Sequence, residues 1–212
     1  MKNDTDHLIK QLTFQLNPVK TVKFHITDII KVVAVGFFCV FAAIANLGLR
    51  VDIGGQVLTT KFVFETAVLL LLSLFSIMAA FSLSVPSMNS RKTYQRPLFV
   101  FLLILATTGY SFLTTSNPFL YLGHGFSCVY EILSISLLPA AILFYLIRRA
   151  AVLQRDTVGI LILMSGVSFG LLGVQFTCAD NTPMHILSWH IVPTVVVMMF
   201  GVWLARRIIK KI

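Results

Sequence analysis

Cys128 and Cys178 are the residues of this chain with the most chemistry to offer. A thiolate is a nucleophile, a redox centre and a soft metal ligand, and two thiols on an oxidising side of a membrane can close to a disulfide. Other donors stand close by in sequence: His124 and Glu131 around the first cysteine, and Asp180, His185 and His190 after the second. Cys128 and Glu131 are three apart, so a helix places them on one face. Zinc, copper or cadmium would suit such donors, and neighbouring imidazoles would lower a thiol pKa. No compact His-x-x-x-His or Cys-x-x-Cys spacing accompanies them. Three readings of the pair therefore stand open: a structural disulfide, a reversible redox or metal-responsive thiol pair, and two unrelated thiols.

The remaining reactive side chains have plainer readings. His124 alone reads as an interfacial histidine, and Cys39 as a small apolar packing residue. Glu65 and Glu131 adjoin or lie within apolar stretches, where a carboxylate is a functional candidate because of its desolvation cost. Both sit near span ends, so snorkelling to water is favoured over an ion pathway. There is no Gly-rich phosphate loop, no Ser/His/Asp arrangement and no His-Glu-x-x-His, so nothing reads as catalytic.

These residues are positioned by an apolar chain. With 57% hydrophobic and 12% charged residues and a mean hydropathy of +0.89, there is too little polar surface to coat a soluble globule. A helix crosses a bilayer with about 20 apolar residues. Six stretches qualify, at about 32–49, 66–85, 98–115, 127–147, 157–177 and 186–205. Pro97 is expected to open the third. Pro139 and Pro193 fall inside the fourth and sixth, where a static kink is expected. Gly166-x-x-x-Gly170 in the fifth is a close-packing pattern for membrane helices.

Charge assigns the sides. Fifteen of the seventeen Lys and Arg precede the first span, fill the second and fourth loops, or follow the sixth span, and only Arg50 and Lys61 lie elsewhere. By the positive-inside rule both termini are cytoplasmic, and Cys128, Cys178, Asp180, His185 and His190 sit at or near the outward side. The same placement makes the net charge of +9 a set of topology markers facing anionic lipid rather than a nucleic-acid stripe. The expected fold is thus an all-α integral membrane protein, a six-helix bundle over 29–212 preceded by a cytoplasmic tail, 1–28. No small-residue cleavage site follows the first span, so a cleaved signal peptide is not expected. From Asn3 and Asp4 a short amphipathic helix is predicted through Leu8, Ile9, Leu12 and Leu16, ended by Asn17-Pro18. It is too short to be stable alone and should fold against a partner or surface.

Taken together, the residues resemble the NrsF-like family of membrane anti-sigma factors, the negative regulators of sigma F. The likeness lies in Asp6 to Leu12 followed by Asn17-Pro18-Val19, in Cys128 leading to Pro139 and Arg148-Arg149, and in the glycine-rich fifth span. It is strongest in Cys178-Ala179-Asp180-Asn181-Thr182-Pro183 followed by Trp189-His190 and a span running from Gly201 to Arg206-Arg207. The resemblance implies a protein of the bacterial inner membrane that holds an extracytoplasmic-function sigma factor inactive and releases it on heavy-metal or oxidative stress. It maps the family's paired cysteines onto Cys128 and Cys178. Asp180, His185 and His190 become candidates for sensing or transient metal binding, with no resident cofactor required, and the tail helix becomes the candidate grip on the sigma factor. The competing expectations are a small six-helix transporter or channel and a membrane thiol oxidoreductase. Oligomeric state is left open by the sequence.

Overall fold

The computed structural model describes residues 24–85, 91–115, 125–148, 150 and 152–208. The predicted tail helix with Leu8, Ile9, Leu12 and Leu16, and also His124, lie outside the described residues. Within them the chain is all helix and turn, and six helices are long and apolar enough to cross a membrane. This is the architecture of a multi-pass membrane protein, because in lipid only intrahelical bonding satisfies every backbone donor and acceptor.

The spans are α1 (Ile26–Leu47), α3 (Thr60–Leu83), α4 (Arg91–Thr114), α5 (Phe126–Ile147), α6 (Arg155–Thr177) and α7 (Pro183–Ile208), with a single turn, α2 (Ile53–Gln56), after the first. Most begin earlier than the apolar pattern suggests, since a helix continues through polar residues while its backbone bonds continue. At the start of α1 the backbone N–H of His25 donates to Asp28 Oδ2 at 3.2 Å, which caps the helix ahead of its apolar run. Gly48, at φ 84°, ends α1 in a conformation that a side chain would resist. Thr59 Oγ1 accepts from the Phe62 amide and starts α3.

The prolines behave unequally. Pro97 does not open its span but sits inside α4, behind a polar first turn, at the loss of one backbone bond. Pro139 lies within an unbroken α5. Pro193 follows a π-helical turn, Ile186–Ile191, where the Val192 amide reaches back five residues to the Leu187 carbonyl. A proline ring clashes with the carbonyl four residues earlier, here that of Trp189, and a widened turn takes that carbonyl out of its way.

Packing centres on α6, which touches α1, α3, α5 and α7 and is buried along most of its length, whereas α1, α4 and α7 expose broad faces suited to lipid. The glycines make this possible. A Cβ on Gly166 would stand 2.6 Å from the Ser136 carbonyl oxygen, and one on Gly170 2.6 Å from that of Ile132, so α5 and α6 meet backbone to backbone. Gly159 and Gly201 do the same between α6 and α7. The Gly166-x-x-x-Gly170 pattern is therefore used within the chain. Phe169 fills the remaining space against Gly36 of α1 and meets Phe37 edge-on at 5.9 Å.

Gly201→Val should prevent the α6–α7 approach and destabilise the bundle by about 1–3 kcal/mol, the usual cost of overpacking. Gly109→Ala, on an open face of α4 with nothing within 4 Å, should instead be neutral or slightly stabilising. Thermal unfolding in detergent followed by circular dichroism compares the two, and equal effects would contradict this packing.

Candidate functional site

The bundle has two unlike ends. At one, α1, α4 and α6 finish and α3, α5 and α7 begin, and this end carries Cys128, Cys178, His185 and His190. The other carries Arg148, Arg155, Arg206 and Arg207, where Arg206 pairs with Asp156 across α7 and α6 at 2.6 Å.

Three elements bring the donors at the cysteine end together. Cys128 lies in the first turn of α5. Cys178 follows the last residue of α6, its amide still bonded to the Val174 carbonyl at 2.8 Å. His185 and His190 come from the start of α7. Five residues apart, they would point about 140° away from each other on an α-helix. The wider π turn returns them to one side, and their rings meet edge-on at 5.1 Å. The Trp189 indole, between them in sequence, fills the space where Gly125 has no side chain and packs on Phe126 at 4.8 Å.

The resulting geometry is specific. Cys128 Sγ and Cys178 Sγ are 3.6 Å apart, and His185 Nε2 lies 3.6 Å from each. One nitrogen of His190 joins them, so four donor atoms fall within 4.8 Å of one another. A tetrahedral metal bonded at about 2.3 Å to sulfur and about 2.0–2.1 Å to nitrogen separates its ligands by about 3.6–3.8 Å. The triangle of two sulfurs and one nitrogen thus has the edges of such a site. His190 Nε2 is buried without a hydrogen-bond partner, an unmet need that a cation or an added proton partner would fill.

Second contacts orient the ligands. Asp180 Oδ2 stands 3.3 Å from His185 Nδ1, an ion-pair approach whose angle falls short of a hydrogen bond. A carboxylate behind a ligating imidazole fixes its ring and raises its basicity. Asp180 Oδ1 in turn accepts from the Thr182 amide at 2.9 Å, an Asx turn that shapes the loop. The Cys128 thiol, and after it His190, hold the Cys178 thiol well below the ordinary range, against burial that pushes it up.

Arg50 anchors the loop that carries Cys178, and nothing in the sequence pattern had singled it out for this. Its side chain is 2% exposed, and its guanidinium donates to Asp52 in a fork at 2.6 and 2.8 Å, to Asn181 Oδ1 at 3.2 Å and to the Ala179 carbonyl at 3.2 Å. Its own amide donates to the Phe176 carbonyl at 3.0 Å. The fork keeps the Asp52 carboxyl below its usual range. The available clue was that Arg50 is basic on the side where basic residues are scarce, with an acid two residues on.

Other expected residues fall outside the cluster. Glu131 is buried on α5, where its Oε1 accepts from Thr177 Oγ1 at 2.7 Å, and Glu65 lies across the bundle on α3 beside Lys61 at 3.9 Å. Cys39 is a partly buried free thiol of α1 that packs against the core. The buried serines Ser73, Ser136, Ser165 and Ser168 donate to carbonyls three or four residues earlier on their own helices. These four hydroxyls are spent locally, whereas those of Ser76 and Thr194 are buried without a partner.

A family model described as NrsF, negative regulator of sigma F, matches residues 12–210. No curated protein and no solved structure matches the chain. Arg50→Met should leave Asn181 and the Ala179 carbonyl without their donor and cost about 2–3 kcal/mol of stability at this end. Asp52→Asn, which keeps one acceptor for the fork but removes the counter-charge of a guanidinium 2% exposed, should cost less than Arg50→Met. Hydrogen exchange of the 176–182 backbone in detergent checks both, and equal protection in the two variants would refute the anchoring role.

The chain belongs to this NrsF family of negative regulators of sigma F, so its role is regulatory and a sigma factor is its partner.

Proposed function

We propose that the chain, as a member of this family, holds an extracytoplasmic-function sigma factor inactive at the bacterial inner membrane, and releases it when a heavy-metal ion or an oxidant reaches Cys128 and Cys178. The 3.6 Å triangle of two thiols and an imidazole carries this reading, because it suits either signal with little movement. The charge asymmetry supports the orientation: the arginine-rich end faces the cytoplasm with both termini, and the cysteine end faces outward. The tail through Leu8, Ile9, Leu12 and Leu16 is then on the side where a sigma factor is found.

The two signals make different use of one site. A soft divalent ion supplies a positive charge that holds both thiolates and the two imidazoles in one place. An oxidant accepts two electrons, two protons leave, and the sulfurs join, closing from 3.6 Å to about 2.05 Å. Either event favours a state of the bundle with the cysteine end drawn together. Shifting a regulator from 1:99 to 99:1 takes about 5.5 kcal/mol of differential binding, within the range of metal–thiolate bonding.

Cys128→Ser and Cys178→Ser should each leave sigma-factor capture intact and abolish induction by cadmium or peroxide, measured with a sigma-dependent reporter beside co-purification. Full induction in either variant refutes the paired sensor. Deleting the tail ahead of Phe24 should abolish co-purification of the sigma factor, and undiminished capture would remove the tail from the account.

A further inference from the structure

Cys128 and His185 of the cluster are buried while Cys178 and His190 are partly exposed, and two clefts run to them from different sides. One, of about 820 Å³, lies among α3, α4, α6 and α7 and reaches Cys178 and His190. Its described walls carry Arg50 and Lys61 against Glu65 and Asp180. The other, of about 1780 Å³ and open to solvent, lies between α1 and α5 and ends on Cys128, Cys178 and His185. Its described walls carry two acids, Glu131 and Asp180, and no lysine or arginine. Three of the four candidate ligands thus line the cleft whose charged-type side chains are all acids.

We propose that the α1–α5 cleft is the entry site for a soft divalent cation, with Glu131 as the buried carboxylate that draws it in beside the cluster. Glu131 suits the task by position: it stands one helical turn after Cys128, and its Oε1 accepts from Thr177, one residue before Cys178. A buried carboxylate 6% exposed in a membrane helix has no structural need to be there, since the hydroxyl it accepts already has the Gly173 carbonyl as an alternative partner at 3.3 Å. Asn46, exposed near the end of α1, lines the same cleft. Low-dielectric walls of one charge sign raise local counter-ion concentration and on-rates by about 10- to 1000-fold.

The inference rests on the metal-responsive reading of the cluster, and its test separates the two. Full-length protein in lipid nanodiscs, with its thiols reduced, is mixed with Cd²⁺ in a stopped-flow instrument and followed by thiolate-to-cadmium charge-transfer absorbance. Glu131→Gln keeps an acceptor for Thr177 and should slow association about tenfold with unchanged final stoichiometry. Asn46→Lys, an exposed change that adds a positive charge to the wall of this cleft, should slow it similarly, and Glu65→Gln in the other cleft should leave the rate unaltered. Cadmium arriving as fast in Glu131→Gln as in the unaltered chain, or slowed as much by Glu65→Gln, overturns the entry route alone. Absence of any thiolate–cadmium signal in the unaltered chain overturns the metal reading and the route with it.

Discussion

Main-chain contact between α6 and its neighbours α5 and α7 is the constraint on which the cysteine end depends. Lipid tails are as apolar as leucine, so helices in a bilayer gain little from burying side chains against each other and rely on close packing. Gly166 and Gly170 let α5 come against α6, and Gly159 and Gly201 let α7 come against it from another side. With α6 held between them, the start of α5, the end of α6 and the start of α7 have little freedom in where they emerge. Cys128, Cys178 and the two histidines converge because three helix ends are fixed at one level, and the short loop Cys178–Thr182 has only to turn the chain over.

Burying the Arg50 guanidinium is the second commitment. A charge removed from water at the edge of a membrane costs several kcal/mol unless its donors are met, and here they are met by Asp52, Asn181 and the Ala179 carbonyl. What is gained is position rather than net stability. The arginine belongs to the segment after α1, while two of its acceptors belong to the segment after α6, so it ties together parts of the chain about 130 residues apart. Surface pairs such as Asp156–Arg206 at the other end do not carry this weight, being exposed to water and screened.

Apolar runs long enough to cross a bilayer made the six spans legible, and the glycine spacing in α6 gave its close contacts. The equal depth of Cys128 and Cys178 was legible too, because each stands at a span end on the same side. What was not legible needed backbone geometry or long-range pairing. Nothing in His185-Ile186-Leu187-Ser188-Trp189-His190 announces a π turn, since its cause, Pro193, sits after the pair whose register it sets. Arg50 counted in the sequence as a misplaced topology marker, whereas folding turns it into a buried anchor. The helix starts were set too late because hydropathy measures the membrane, while helix length is set by caps such as that of Asp28 on His25 and extends through polar turns.

On the proposed function, the same contacts constrain how a signal at the cluster reaches the other end. Locked by main-chain approaches on two sides, α6 is the span least free to move, so displacement at Cys178 passes to what is tied to its loop from outside those two contacts. That is the segment after α1, through Arg50. Helix α1 meets α6 by a softer contact, the Phe169 ring over Gly36, and otherwise packs on α5, touches α3 and faces lipid. It can slide or tilt at smaller cost than α5 or α7, because an aromatic ring against a glycine can re-pack while two backbones in contact cannot. At its far end α1 is preceded by Phe24, which packs on Phe81 of α3 at 4.6 Å. On the proposed function, a change at the thiols, about 1.5 Å where they join, becomes a movement of α1, and the residues ahead of Phe24 feel it first.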